Sequence, residues 1–535
     1  LWWPYYHHLA EYTARCCWLL RQGRFTAGVA VYSPLADQWA QSVFTARNWT
    51  RDFDWGGLGR LLMTNGYGFD LVNDDVLQHH AAFDGAQLRL GEMAYRVLIL
   101  PNVSALPLET LRQIDAFVRQ GGAVIALETI PQASVGMADH AQGAAEVRRI
   151  AEAMFPAPAT AKKGAYTACG EGRACFLKTV LQRSDSLDDH SAPTDPFLKA
   201  LRECVEPDME VDLVMAEKRF NEGLVSLHRR SDTLDIYFVA NIAETPFHDA
   251  VSFRVVRGVP YYWDPRTGDR RPIHAYTRDA SSTRIPLSLE AFESRFVVFE
   301  NTGDLSTASH LTQSDFAEVL SVDATGFTAR ADHNGPHAWQ FAGETMERGG
   351  VEVIDDLPAA YEVAGAWEVR FPEEEGRPDS YQWTRLKSWT EDPQLRHFSG
   401  RARYTITFSL PEVYGDENTH LTLSLGAVGN VAEIRMNGKV VGVHWMDGQA
   451  FSLDGVACPG AKTLEVEVIN TLINRVSGMT EFPEIAAELQ PIFGRGGDDA
   501  AAAKADLIGY SPLPRSGLLG PVRIIPSREV RVALN

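Results

Sequence analysis

Residues 96–127 read RVLILPNVSALPLETLRQIDAFVRQGGAVIAL, an apolar run, then a helix-like stretch at 107–120, then a second apolar run at 123–127. Both runs are far shorter than the ~18–20 apolar residues that cross a bilayer, so they read as buried strands. A strand, a helix and a strand in succession form the repeating unit of a parallel sheet. The same rhythm extends outward through VAVYS at 29–33 and FDLVN at 69–73, with further helix-like stretches at 74–80 and 143–154. That makes four convincing strands, whereas a (β/α)8 barrel needs eight over ~250 residues. The expectation for residues 26–208 is therefore an open, flavodoxin-like parallel sheet.

With 535 residues, the chain exceeds one ordinary core, at roughly 100–200 residues per domain. Beyond 208 the pattern changes to alternating strands separated by turn signals: LVSLHRR, DIYFVAN, VSFRVV, YYWDPRTGDRRPI, TRIPLSL and SRFVVFE. These predict a small antiparallel β domain over 209–305. Residues 306–350, rich in turn formers such as HNGPH, read as a connector. Residues 351–535 read as all-β, with FGRGGDDAAAAKAD at 493–506 a flexible loop inside them. Within VAEIRMNGKVVGVHW, Asn437-Gly438 supplies the positive φ angles of a tight hairpin.

The opening segment, LWWPYYHHLAEYTARCCWLLRQG, places Trp2, Tyr5, Leu9, Tyr12, Cys16 and Leu19 on one helical face. Pro4 suits the first turn and Gly23 the stop. So broad an aromatic face calls for a large partner, and nothing before it in the sequence supplies one.

The formal charge of −20 repels a phosphate backbone or an anionic membrane, which argues against nucleic acid as a partner. Six cysteines without a C-x-x-C spacing form neither a disulfide framework nor a zinc signature. The pairs His7-His8 and His79-His80 lack metal-ligand companions and read as solvated helix positions. No serine-hydrolase, P-loop or dinucleotide motif is present.

Two carboxyl groups flanking a sugar are what glycoside hydrolysis requires. The densest acidic cluster is Asp70, Asp74 and Asp75 in FDLVNDDVL. Asp74 or Asp75 is most simply a helix N-terminal charge. The catalytic alternative assigns Asp70 and Asp75 as candidates, with Asn73 reaching a sugar from the sheet's C-terminal edge. Trp367, Trp383, Trp389 and Trp445 either fill a sandwich core or stack on pyranose rings. Trp389, flanked by polar residues, is the one expected to be partly exposed; Trp389 and Trp445 join Asn73 as sugar-binding candidates.

Several segments together resemble glycoside hydrolase family 106, the α-L-rhamnosidase family. They are WWPYYHHLAEYTARCCWLLRQG, FDLVNDDVL, YRVLILPN, SLHRRSDTLDIYFVAN, YYWDPRTGD, SRFVVFE, LKSWTEDPQLRHFSGRARYTITF, VAEIRMNGKVVG, EVEVINTLINR and SGLLGPVRI. The last group is also similar to the galactose-binding-like jelly rolls of family 2 glycosidases. The resemblance implies a (β/α)8 barrel that carries the acid and base carboxylates, inverting hydrolysis of terminal α-L-rhamnosyl linkages and assistance from calcium. It also implies a rhamnose-containing oligosaccharide or polysaccharide partner and a periplasmic or extracellular location. Residues 1–25 would then be the terminal helix of that barrel, and the main carboxylates would lie upstream of Leu1. Two other readings stand beside it: a non-catalytic carbohydrate-binding scaffold, and a fragment of a β-galactosidase-like hydrolase.

Overall fold

The computed structural model describes residues 1–41, 55–136, 140–155, 166–178, 195–211, 223–301, 309–343, 347–373, 378–479 and 513–534. The 493–506 segment lies outside them. The chain is multidomain, with several β-sheets and few helices.

The first unit is built on strands β1 (Val29–Tyr32), β2 (Phe69–Val72), β3 (Val97–Pro101), β4 (Ala123–Leu127) and β5 (Gly172–Leu177). They run parallel in the order β2-β1-β3-β4-β5, with Thr167–Cys169 as an antiparallel edge. Alternate side chains serve two cores. Val29, Val31, Val97, Ile99, Ile125 and Leu127 pack under helices α3 (Trp55–Thr64) and α6 (Asp195–Arg202). Ala30, Tyr32, Leu98, Leu100, Val124 and Ala126 pack under α4 (Leu108–Arg119) and α5 (His140–Met154). Burial on both faces is why β1, β3 and β4 are continuously apolar rather than alternating, whereas β2, at the sheet edge, carries Asp70 and the exposed Leu71. The fifth strand, GRACFL, was not among the four expected, because Gly172 and Arg173 break its apolar run.

The second unit is antiparallel, built of two sheets that share one core. Its six-stranded sheet runs Arg24–Phe25, Leu224–Arg230, Leu234–Asn241, Ser294–Glu300, Val259–Trp263 and Arg270–Pro272. The facing four-stranded sheet runs Met209–Val211, Phe247–Phe253, Thr283–Leu289 and Thr277–Arg278. Arg24–Phe25 follows directly on helix α1 (Tyr6–Leu20) and pairs with Arg230 and Arg229. Gly23 makes that join at φ +56°, where a Cβ would sit 2.2 Å from the Arg230 carbonyl oxygen.

Residues 306–350 are not a connector. His310–Ser314, Gly335–Ala342 and Glu347–Ile354 form a three-stranded sheet, and Glu318–Asp323 pairs with Gly326–Ala331. The turn formers HNGPH, read as linker, make the passage from Gly326–Ala331 to Gly335–Ala342, strands of different sheets, and Phe327, Ala329, Trp339 and Phe341 fill a core between those sheets.

In the last unit one sheet runs Ser380–Trp383, Trp367–Arg370, Arg401–Leu410, Gly460–Ile469, Val431–Met436 and Lys439–His444. The other joins the 318–331 hairpin to Arg523–Ala533, Thr419–Ser424 and Ala450–Ser452. Asn437 and Gly438 take φ of 51° and 78°, the turn the sequence specified.

Candidate functional site

Asp74 and Asp75 follow the C-terminal end of β2, whereas Asp70 is its second residue, toward the opposite edge of the parallel sheet, and each is engaged by a different neighbour. Asp70 accepts a hydrogen bond from the Tyr95 hydroxyl at 2.8 Å. Asp74 accepts from the Tyr32 hydroxyl at 2.8 Å and from Thr110 at 2.7 Å, which ties the β2 loop to α4. Burial, reinforced by these carboxylates, pushes the phenols of Tyr32 and Tyr95 well above their ordinary value. Asp75 lies 3.6 Å from His80 at the surface. Neither Asp74 nor Asp75 caps the wide turn Val76–His80. Asn73 does so, accepting from the Val76 N–H at 3.0 Å. Placed three residues before Val76, its carboxamide oxygen reaches the free N–H, whereas Asp74 is drawn inward by two hydroxyls. None of these hydrogen bonds or ion pairs joins one candidate carboxyl group to another.

The aromatic candidates separate cleanly. Trp389 is 0% exposed, contrary to the expectation of partial exposure. Its indole N–H donates to the Tyr404 hydroxyl at 2.6 Å, and the ring meets Phe371 and Phe398 edge-on, each at 5.4 Å. The polar neighbours that implied exposure form a capping box, in which Ser388 and Glu391 close the turn that carries the ring inward. Trp367 and Trp383 are likewise core residues. Trp445 is the half-exposed one. Its backbone N–H and that of Met446 donate to Gln449, and its ring meets Tyr12 edge-on at 5.6 Å.

That contact overturns the expectation that α1 lacks a partner within the chain. Cys16 and Leu19 pack on Ile236, Phe296 and Val298 of the sandwich. The Tyr12 hydroxyl pairs with Ser294 at 2.7 Å, Arg15 donates to the carbonyls of Pro265 and Arg266, and the Tyr5 hydroxyl donates to Glu433 of the terminal unit at 3.0 Å. Burial pushes the phenols of Tyr5 and Tyr12 up to about 12. The opposite face stays open. Trp3 is 78% and Trp18 60% exposed, and Trp3 stacks on Tyr6 with ring centroids 5.3 Å apart.

A buried ionic cluster escaped the sequence reading. His228 stacks on Tyr237 at 3.9 Å, lies 3.0 Å from Asp235 through Nε2 and 3.6 Å from Asp208 through Nδ1. Arg230 pairs with Asp235 and Arg254 with Asp208. Burial alone would raise both carboxyls, but the His228 and arginine partners hold them below their ordinary value. The only trace in sequence is LHRRSDTLDIYF, in which charged residues interrupt two apolar strands. Asp208 also donates its backbone N–H to the Gly66 carbonyl at 2.8 Å, so the cluster lies where the sandwich meets the parallel-sheet unit.

Calcium, implied by the family resemblance, takes about six to eight oxygen ligands. Among the described residues no three His, Cys, Asp or Glu side chains converge to hold a metal ion, so no residue is assigned to it. No described helix is long and apolar enough to cross a membrane.

The α-L-rhamnosidase family model matches residues 1–278, just over half of the 535. The chain belongs to the α-L-rhamnosidase family. This family member is similar in fold to a rhamnosidase from Novosphingobium sp. PP1Y. The TM-score is 0.57 at 23% identity, over 98% of this chain and 41% of that one. A Formosa agariphila protein that carries a beta-glucuronidase name is 33% identical over 132 residues, 24% of this chain and 11% of the relative. A GH42 β-galactosidase from G. stearothermophilus overlaps 54% of this chain and 42% of its own at 15% identity, with a TM-score of 0.34. The rhamnosidase-family chain thus spans well under two thirds of each of these proteins.

Proposed function

We propose that this chain is the C-terminal part of a glycoside hydrolase that removes terminal α-L-rhamnosyl groups from plant-type oligosaccharides or polysaccharides with inversion. The family match over residues 1–278 carries the reading. Inversion uses a carboxylic acid to protonate the leaving oxygen and a carboxylate to activate water, about 6.5–9.5 Å apart. Asp70 and Asp75 are separately engaged, which supports placing that pair upstream of Leu1. The open aromatic face of α1 supports its role as the last helix of the barrel that carries the pair. In this reading the parallel unit is flavodoxin-like, its strand order being 2-1-3-4-5. The terminal unit is a galactose-binding-like jelly roll, with Trp445 and Asn73 the remaining sugar-contact candidates. A periplasmic or extracellular location goes with a polysaccharide substrate.

The test is turnover of an aryl α-L-rhamnoside by this chain and by the same protein extended upstream. Activity in the extended protein with negligible activity here is the expected result. Robust activity in this chain, abolished by Asp70→Asn or Asp75→Asn, would overturn the placement of the chemistry. A non-catalytic scaffold is the second reading, favoured by half-exposed Trp445; it requires glycan binding in the extended protein with no turnover.

A further inference from the structure

A strand at the edge of a sheet presents a row of unpaired N–H and C=O groups, and folded chains blunt such edges by keeping them short or covering them. In the sheet of His310–Ser314, Gly335–Ala342 and Glu347–Ile354, the first edge is covered. Leu311 donates its N–H to the His274 carbonyl at 2.7 Å and accepts from the Tyr276 N–H at 2.9 Å. The other edge, Glu347–Ile354, is open. It is eight residues long, whereas no other edge strand among the described residues exceeds six. Among the described residues its backbone bonds only to Gly335–Ala342.

Register sorts the side chains of this strand. Arg348, Gly350 and Glu352 stand opposite Phe341, Trp339 and His337, buried residues of the inner face. Val351 and Val353 stand on the outer face opposite Ala338 and Pro336, and are 59% and 63% exposed. Exposed β-branched residues on a long edge suit another strand. Arg348 and Glu352 decide which one. No hydrogen bond or ion pair engages either among the described residues, and they lie two positions to either side of Gly350. A second copy running antiparallel and centred on Gly350 sets each Arg348 opposite the Glu352 of the other chain, twice by symmetry. Centring on residue 348 or 352 instead sets arginine against arginine or glutamate against glutamate, which is destabilising. At the Gly350 centre glycine faces glycine, and Val351 faces Gly349 of the other copy, so no bulky pair collides.

We propose that Glu347–Ile354 is a homodimer interface, at which two copies of this chain pair antiparallel about Gly350 and join their three-stranded sheets into one. An unrelated strand would need an acid and a base at matching spacing, whereas a second copy supplies both through the two-fold axis. Main-chain hydrogen bonds along the edge supply affinity, and the two ion pairs select the register. The charge of −20 on each copy opposes association, but beyond about 8 Å that repulsion is screened at physiological salt. The proposal goes beyond the glycosidase reading and does not rest on it.

The experiment is analytical ultracentrifugation of the full chain at about 0.15 M salt, in a Trp3→Ser, Trp18→Ser background that removes association through the exposed rings of the N-terminal helix. A monomer–dimer equilibrium is expected. Arg348→Glu and Glu352→Arg should each weaken dimerisation at least ten-fold, because each sets like charges opposite at two places. The double variant Arg348→Glu, Glu352→Arg should restore it, and so should an equimolar mixture of the two single variants, in which every facing pair is again opposite in sign. Within one strand positions 348 and 352 stand about 13 Å apart, so restoration reports pairing between copies and not a contact inside one chain. A chain that stays monomeric overturns the proposal, whichever other strand covers the edge. Dimerisation unchanged in both single variants, or restored in neither the double variant nor the mixture, overturns it as well.

Discussion

Replacing Asp235 by Asn tests whether the cluster around His228 holds the sandwich to the parallel-sheet unit. Asp235 is 1% exposed and accepts from His228 Nε2 at 3.0 Å and from Arg230. Removing one partner of a buried ion pair costs about 3–5 kcal/mol, because the other is left buried and uncompensated. The Arg230 side chain is 32% exposed and can rehydrate, so the lower end applies, about 3 kcal/mol. A chain of several units does not unfold in one step, so a global midpoint is the wrong observable. Amide hydrogen exchange in strands Leu224–Arg230 and Leu234–Asn241 reads the local free energy. Protection there should fall about 100-fold, at 1.4 kcal/mol per decade, with the terminal unit unchanged. The pH dependence follows from linkage. Asp208 and Asp235 have folded values below their unfolded ones. Their stabilisation is therefore complete above an unfolded value of about 3.9 and is lost as pH falls through the folded values. The gap between the original chain and the variant should hold near neutrality and close only in acid. A loss of protection under ten-fold at pH 7, or a gap that closes near pH 6, would refute the reasoning.

Trp389→Ala should destabilise the terminal unit by about 3–5 kcal/mol, as a truncated core aromatic does. Trp389→Phe should cost less but leave the Tyr404 hydroxyl without its indole donor; both are read by denaturant unfolding followed through near-ultraviolet dichroism. Gly23→Ala adds a Cβ 2.2 Å from the Arg230 carbonyl oxygen at φ +56°, so proteolysis at the α1 junction should rise sharply, whereas equal resistance would refute the close approach. Trp3→Ser with Trp18→Ser removes the most exposed rings of α1 and the turn that precedes it. Sedimentation should show less self-association with unchanged amide protection in α1, and lowered protection there would mean that these rings pack within the chain.

Local pattern carried much of the architecture. Continuous apolar runs announced the parallel strands β1, β3 and β4, because a strand buried on both faces must be apolar at every position. Asn437-Gly438 announced its hairpin, because few residue pairs accept two positive φ angles. Missed elements lay where composition imitated something else. Turn formers between strands of different sheets made 306–350 look like a linker, and the polar capping box around Trp389 made a core ring look exposed. Around β2, sequence located Asp70, Asn73, Asp74 and Asp75, but the hydroxyl partners of Asp70 and Asp74 come from Tyr95, Tyr32 and Thr110 on other elements. By itself, then, the sequence determined the strand and helix periods, the tight turns, the acidic balance and the family likeness, all of which rest on neighbours within a few residues. Tertiary structure alone decided that α1 is clamped by Trp445 and Ser294, that Arg523–Ala533 pairs with the 326–331 strand, and that Asp208, His228 and Asp235 meet in the interior. Those outcomes depend on which distant polar group ends up beside which, and only the packed register of sheets sets that.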